Sequence, residues 1–111
     1  EEVTVDNGEL IIEWTTHGGW EPNLSNFHAH FYYNVYEAVQ VGTNWQQNGA
    51  ESGGSWQLTD QQPFSTAGSS VALATAPPGT TAICVVPAAS DHGTISPENA
   101  ECWDLPPELV P

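Results

Sequence analysis

The stretch FHAHFYYNVYE, which runs from Phe27 to Glu37, shows most clearly what kind of secondary structure this sequence forms. Two sets of side chains alternate along it. The odd-numbered set is mostly apolar and consists of Phe27, Ala29, Phe31, Tyr33 and Val35. The even-numbered set is polar or amphipathic and consists of His28, His30, Tyr32, Asn34 and Tyr36. Because successive side chains of a β-strand point to opposite faces, the pattern predicts a strand whose odd-numbered face is in the core and whose even-numbered face points outward.

Similar short alternating runs recur along the chain and predict an all-β domain with almost no helix. They are separated by clusters rich in glycine and proline, which contribute 10 and 9 residues respectively. Strands are expected at residues 3–5, 9–16, 71–75, 81–86 and 102–105, with further short strands near residues 39–45 and 56–58. In the run 9–16, Leu10, Ile12 and Trp14 share one face, so Trp14 is expected to anchor the core.

The absence of basic residues is the strongest feature of the composition. The chain of 111 residues has no lysine or arginine and 14 acidic residues, which gives a formal net charge of −14. Proteins that bind nucleic acid or anionic membranes need cations to displace counterions from phosphates, so neither is an expected partner. No apolar run reaches the roughly 18 residues of a membrane span. Hydrophobic residues make up 39% of the sequence, which suits one ordinary globular domain.

Several features favour a secreted protein, either extracellular or at the cell surface. The sequence does not begin with Met, as expected of a processed mature form whose leader has been removed. Without lysine and arginine it offers no cleavage site to trypsin-like proteases. Cys84 and Cys102 are the only cysteines, and such a pair in a small secreted domain is expected to form a disulfide. This bond would contribute about 3 kcal/mol to stability.

Two segments resemble the fibronectin type III class of immunoglobulin-like domains. The run LIIEW, residues 10–14, resembles the second strand of that family, which ends in a core tryptophan. The run LATAPPGTTAICVV, residues 73–86, resembles the family's Leu-x-x-Pro-Gly-Thr-x-Tyr corner and following strand, although Ala82 or Ile83 stands in place of the tyrosine. The resemblance spans roughly residues 3–105 and implies a small antiparallel β-sandwich, with residues 8–105 as the domain. The bond between Cys84 and Cys102 would join its last two strands, which a typical member of the family does not require. Residues 1–7 would be an N-terminal strand, and residues 106–111 an extended proline-rich tail.

The first functional hypothesis is self-assembly. Val3, Thr4 and Val5 form a short strand that could pair with the sheet edge of a neighbouring subunit. Repeated head-to-tail contacts of this kind would build a filament, a pilus-like fibre or a surface layer from copies of the chain. The even-numbered face of residues 27–37 would be a contact surface, because aromatic side chains are enriched at the centres of interfaces. Asn23 begins the sequon Asn-Leu-Ser and is a candidate glycosylation site.

The first alternative is a non-catalytic carbohydrate-binding module that uses the same strand face. Tyr32 and Tyr36 could stack on the rings of a glycan. The neighbouring side chains of His28, His30 and Asn34 would supply hydrogen bonds to its hydroxyl groups. In this hypothesis the partner is a glycan instead of a second copy of the chain.

The second alternative is a metal-binding β-sandwich. His28 and His30 are two residues apart on one strand face, about 6.5–7 Å between Cα atoms, so both imidazoles could reach one ion. The third ligand would be Glu37, and the other candidates are His17, Glu13 and His92. A His-x-His pair alone does not establish a metal site, so no cofactor is expected.

Catalysis is not expected. The sequence contains no G-x-S-x-G motif. Carboxylates such as Glu9 and Glu13 fall on the exposed face of their predicted strand, where nothing would perturb their pKa. Phosphoryl transfer is disfavoured because the chain has no lysine or arginine to stabilise the transferred group. The sequence therefore predicts a protein that is not an enzyme.

Overall fold

The computed structural model describes residues 2–6, 8–16, 21–95 and 97–107, and these residues form mostly strands and turns. The strands are β1 (Glu2–Asp6), β2 (Glu9–Glu13), β3 (His28–Tyr33), β4 (Gln57–Thr59), β5 (Phe64–Ser65), β6 (Ala82–Ala88) and β7 (Glu101–Asp104). Short 3₁₀ helices lie at Ala38–Gln40, Leu73–Thr75 and Pro97–Asn99. Within the described residues, none of the helices has the length and apolar character that a bilayer span requires.

The strands form two antiparallel sheets. The smaller sheet has the order β1-β2-β5, and the larger has the order β4-β3-β6-β7. In the larger sheet, β3 and β6 are the central pair, with Phe31 opposite Val85 and Tyr32 opposite Cys84. The all-β class expected from the sequence is therefore confirmed.

The two sheets face each other across one hydrophobic cluster. β2 contributes Leu10, Ile12 and Trp14, as its alternation predicts. The other buried members are Ala29, Phe31, Tyr33, Phe64, Val71, Ile83 and Leu105. The centroid of the Phe31 ring is 4.5 Å from that of Phe64 and 5.9 Å from that of Trp14. Because Phe31 is fully buried, its transfer from water alone is worth about 1.5–3 kcal/mol.

The core face of β3 is shorter than the sequence predicts. Ala29, Phe31 and Tyr33 belong to the cluster between the sheets. Phe27 and Val35 were expected on the same face, but they are 46% and 38% exposed. They lie just outside the strand, which begins at His28 and ends at Tyr33, so the alternation no longer directs them inward.

β1 forms a hairpin with β2 of the same chain. The register runs from Glu2 opposite Glu13 to Asp6 opposite Glu9. Gly8, next to Glu9, has a φ of 77°, a left-handed value that glycine adopts without steric cost. β1 is the last strand in its sheet, and its outer edge has no neighbour among the described residues. Exchange of this strand with another subunit stays a prediction.

Residues 71–75 do not form a strand, contrary to the sequence analysis. They contain the 3₁₀ helix Leu73–Thr75, and side chains from distant strands hold the segment. The Tyr33 hydroxyl donates to the carbonyl of Val71, and the Glu9 carboxylate accepts from the Leu73 amide at 2.9 Å. These backbone groups are therefore satisfied by side chains instead of a neighbouring strand. The sheet position beside β2 is taken by β5, which the sequence analysis missed.

Of the remaining strand predictions, one is wrong and three are confirmed. The strand near residues 39–45 is wrong, because this region contains the 3₁₀ helix Ala38–Gln40 followed by turns. The short strand near residues 56–58 is confirmed as β4, and the strands at 81–86 and 102–105 are confirmed as β6 and β7. Of the expected tail, residues 108–111 lie outside the described residues.

The expected disulfide joins Cys84 to Cys102. The two residues are direct partners in the register of β6 and β7, and their Cα atoms are 4.0 Å apart. Cys84 is buried in the centre of the larger sheet, whereas most of β7 is exposed. The bond therefore fixes an exposed edge strand to a buried central one.

Tyr33→Phe should lower the free energy of unfolding by about 1–3 kcal/mol, because it leaves the carbonyl of the buried Val71 without its donor. The measurement is urea denaturation followed by circular dichroism. Tyr36→Phe, at a half-buried ring outside this contact, is the control and should change the free energy by less than about 0.5 kcal/mol. Equal stability of the Tyr33→Phe variant and the parent would contradict the assigned role of this hydroxyl.

Candidate metal centre

His28 and His30 lie on the even-numbered face of β3, and both are fully buried, with 0% exposure. Side chains from residues 36–56, and from His92 and Ala100, cover this face. A second hydrophobic cluster forms beneath the cover, from Tyr32, Val41, Cys84 and Val86 with Tyr36, Ala38, Trp56 and Ala100 packed against it. The expectation that the even-numbered face points to solvent is therefore wrong for His28, His30 and Tyr32. Tyr36 is half-buried, and Asn34 is exposed.

His92 joins the two strand histidines from a turn that follows β6. Its amide donates to the Ala89 carbonyl at 2.8 Å, and its carbonyl accepts from the Thr43 amide at 2.9 Å. Its φ of 65° is left-handed, which is uncommon for a residue other than glycine. The turn is thus held to the end of β6 on one side and to the loop after the 3₁₀ helix Ala38–Gln40 on the other.

The three imidazoles are close enough to share one ion. One nitrogen from each of His28, His30 and His92 lies within 4.8 Å of the other two. His92 Nδ1 and His28 Nε2 are 3.2 Å apart. Ligand nitrogens of a tetrahedral zinc ion, with bonds of about 2.0–2.1 Å, are about 3.3 Å apart. The His28–His92 pair already has this spacing, and a ring nitrogen of His30 lies within 4.8 Å of both.

The hydrogen bonds of His28 prepare its Nε2 atom to bind a metal. Its Nδ1 lies 3.3 Å from the carbonyl of Asn26, which can only accept, so Nδ1 carries the proton. The lone pair of Nε2 then points toward His92. Metal-bound histidines characteristically donate their other ring N–H to a carbonyl or carboxylate, which fixes the tautomer and the ring orientation.

His30 has no hydrogen-bond partner at either ring nitrogen, although both are buried. Its ring stacks on Trp56, with centroids 4.2 Å apart and an interplanar angle of 25°. Burial, and then the neighbouring His28 and His92, lower the pKa of His30 to about 3. An unsatisfied buried polar atom costs about 1–3 kcal/mol. A metal bond to one nitrogen would remove part of that cost.

Burial also lowers the pKa of His28. The Asn26 carbonyl opposes that effect, His92 adds to it, and the nearby Asp60 carboxylate opposes it. Both strand histidines therefore favour the neutral form, which is the form that binds metal ions. Imidazole nitrogen suits zinc, copper and nickel, whereas calcium and magnesium prefer oxygen ligands.

The other candidate ligands lie elsewhere. Glu37 caps the 3₁₀ helix Ala38–Gln40 and is not part of the histidine cluster. Glu13 is exposed on β2, in the other sheet, and His17 lies outside the described residues. His92 was one of four candidates for the third ligand. It lies 62 positions after His30, too far for any local pattern to link the two, so its residue type was the only sequence signal for it.

The remaining site residues named by the sequence analysis are dispersed. Val3, Thr4 and Val5 lie in β1, at the edge of the smaller sheet. Asn23 is exposed, and its side-chain oxygen accepts from the Ser25 amide at 2.8 Å. Asn34 has a structural contact, since its side-chain oxygen accepts from the amides of residues 81 and 82 at 2.9 and 3.1 Å. Of the even-numbered set, the structure brings only His28 and His30 into a common site with a third functional side chain.

Comparison with protein-family models, with curated proteins and with solved structures finds no match to this chain.

Without metal, the protein should lose stability as the pH falls below about 6.5, the ordinary histidine pKa. His30 stays neutral in the folded state down to about pH 3, whereas the unfolded chain binds this proton near pH 6.5. Between these values the unfolded state binds more protons, so the free energy of unfolding falls by up to about 1.4 kcal/mol per pH unit. Above pH 6.5 the group is neutral in both states and the contribution is fully present.

Urea denaturation in the presence of a chelator, from about pH 7.5 to 4, measures this dependence. His30→Phe keeps a ring beside Trp56 but removes the titrating group. The slope of its free energy of unfolding against pH should therefore be smaller than that of the parent, by nearly the amount that corresponds to one proton. His28 contributes in the same direction and remains in the variant, which isolates the effect of His30. Identical pH dependence in the two proteins would contradict the burial of a neutral His30.

Proposed function

We propose that this chain is a non-catalytic metal-binding domain that holds one zinc or copper ion through His28, His30 and His92. The observation that carries the proposal is the state of His30. Its ring is fully buried, neither nitrogen has a hydrogen-bond partner, and two other imidazoles lie against it. Buried polar atoms in folded proteins are bonded in the large majority of cases, so this exception needs a physical explanation.

A purely structural role explains the arrangement less well. Of the three imidazoles, His92 and His28 form one N–H···N bond. This bond leaves both ring nitrogens of His30 without a hydrogen-bond partner. An apolar side chain at position 30 would pack against Trp56 without the cost of two buried, unbonded nitrogens. A metal ion would account for the three residues together. It would replace the hydrogen bond between His92 and His28 at the Nε2 atom of His28, and it would give His30 a partner.

The bound ion would also connect distant parts of the chain. His28 and His30 belong to the central strand of the larger sheet, and His92 belongs to the turn after β6. A metal bond to each would fix this turn over the even-numbered face of β3. Since such a site does not exist in the unfolded chain, the binding free energy would add to the stability of the fold.

The strand order supports the fibronectin type III-like sandwich that the sequence resembles. In immunoglobulin-like domains of the constant type, the first, second and fifth strands share one sheet and the third, sixth and seventh share the other. The two sheets of this chain have these memberships. The fourth strand differs, because in the constant type it belongs to the sheet of the first, second and fifth strands, whereas here it pairs with the third. The disulfide supports an extracellular or cell-surface location, where such bonds persist.

Titration with Zn²⁺ and, separately, Cu²⁺ should give one bound ion per chain by calorimetry and elemental analysis. His92→Ala should weaken binding by more than about 100-fold, because even the loss of an outer partner of a metal ligand costs about 10–100-fold. His92 is only half-buried, so this variant should still fold.

Glu37→Gln is the matched control for that experiment. Glu37 lies outside the histidine cluster, and its replacement should leave the affinity unchanged. Two results would contradict the proposal: the absence of stoichiometric binding by the parent, or equal loss of affinity in the Glu37→Gln and His92→Ala variants.

Self-assembly is the second candidate function, and one observation favours it. β1 is an edge strand whose outer side has no neighbour among the described residues, and Val5 within it is 48% exposed. A strand of this kind can pair with the same edge, or another edge, of a second copy. A carbohydrate face has less support, because Tyr32 is 3% exposed and could not stack on a sugar without displacement of its cover. Glycosylation at Asn23 stays a prediction.

If β1 mediates assembly, Val5→Lys should reduce it, because a lysine on an edge strand disfavours the addition of another strand. Sedimentation velocity and negative-stain electron microscopy at high protein concentration measure the effect. Val35→Lys is the matched control, since Val35 is also exposed but lies outside β1. A parent protein that stays monomeric, or a Val5→Lys variant that assembles as the parent does, would rule out this role for β1.

A further inference from the structure

We propose that the metal ion at the histidine centre keeps one exchangeable coordination position, which opens beside His92 and accepts water, hydroxide or a small anion. The inference rests on the proposed metal-binding function and specifies its chemistry. It concerns a ligand that the ion would take from solution, in addition to those that the chain supplies.

The cluster supplies three side-chain ligands, one fewer than a tetrahedral ion needs. Among the described residues, the group of histidine, cysteine and carboxylate side chains that could hold one ion consists of His28, His30 and His92. Zinc is almost always four-coordinate when it is fully enclosed by protein ligands, and sites with three protein ligands hold a water molecule in the fourth position. Three imidazoles alone therefore leave a position to be filled.

The unequal burial of the three residues shows where that position would lie. His28 and His30 are 0% exposed, and Trp56 covers one face of the His30 ring. His92 is only half-buried, on the turn that closes over the site. Solvent would therefore approach the ion from the side of His92, while the strand and the indole ring block the opposite side.

Charge indicates which ligands the position would accept. Three neutral imidazoles do not offset the double positive charge of zinc or copper(II). An anion bound directly to the ion would be stabilised by this charge, and a bound water would lose a proton more readily than in bulk. Exchange would replace one water or hydroxide by one anion and leave the three imidazole bonds intact. Small monodentate ligands are expected, because the Trp56 ring stacks on His30 at the buried side of the cluster.

Cobalt(II) in place of zinc makes the proposal testable, since the visible absorption of the ion reports its ligands. The full chain is loaded with one equivalent of Co²⁺ and titrated with azide. We expect a saturable change in the absorption bands, with the bound cobalt still present after gel filtration. An unchanged spectrum with retained cobalt would overturn the exchangeable position while it leaves the metal-binding function standing. Failure to bind Co²⁺, Zn²⁺ or Cu²⁺ would overturn both.

His17 lies outside the described residues, so experiment must decide whether it is a fourth ligand. The variant His17→Ala makes that comparison. The proposal expects the cobalt spectrum and the azide response of this variant to match those of the parent. A different spectrum in the variant, together with an azide response that only the variant shows, would identify His17 as a fourth ligand and overturn the open position. Glu37→Gln serves as the control for a change of charge away from the centre and should behave as the parent.

Discussion

The burial of β3 on both of its faces is the constraint on which the rest of the structure depends. Its odd-numbered face packs between the two sheets, where apolar side chains leave water without needing partners. Its even-numbered face carries two imidazoles that also leave water, and these must find partners in whatever covers them. The cover supplies a third imidazole, and the indole ring of Trp56 lies against His30. The histidine cluster therefore forms because β3 is covered on its even-numbered face as well as on its core face.

The lack of lysine and arginine affects how polar groups are paired. The Glu9 carboxylate, for example, accepts from the Thr66 hydroxyl at 2.7 Å and from the Leu73 amide, both of them uncharged donors. Such bonds hold loops to strands through direction and distance, and they respond less to salt than an exposed ion pair does. The same composition gives the whole chain a formal net charge of −14, which raises the concentration of cations near its surface. The absence of lysine and arginine therefore affects both the hydrogen bonding of the fold and the proposed binding of a cation.

The sequence predicted those parts of the fold that depend on local alternation. Strands β2 and β3 were visible because apolar residues recur at every second position, and β6 was visible as a continuous apolar run. The disulfide followed from the presence of only two cysteines. Residues 71–75 look like a strand locally, but Glu9 and Tyr33 hold them in another conformation from far along the chain. The cover over the even-numbered face of β3 comes from separate segments, so alternation could not reveal it. For the same reason, no local pattern selected His92 from the four candidates for the third ligand.

The position of the disulfide has a mechanical consequence. β7 is joined covalently to β6, whereas β1 is joined to β2 by backbone hydrogen bonds and the packing of Val3. Tension applied to β1 would separate the hairpin one residue pair after another, at low force, because the bonds are loaded in sequence. Tension applied to β7 would meet the bond between Cys84 and Cys102 before it reached the pairing of β3 with β6. A pulled domain would therefore give way more readily at β1 than at β7.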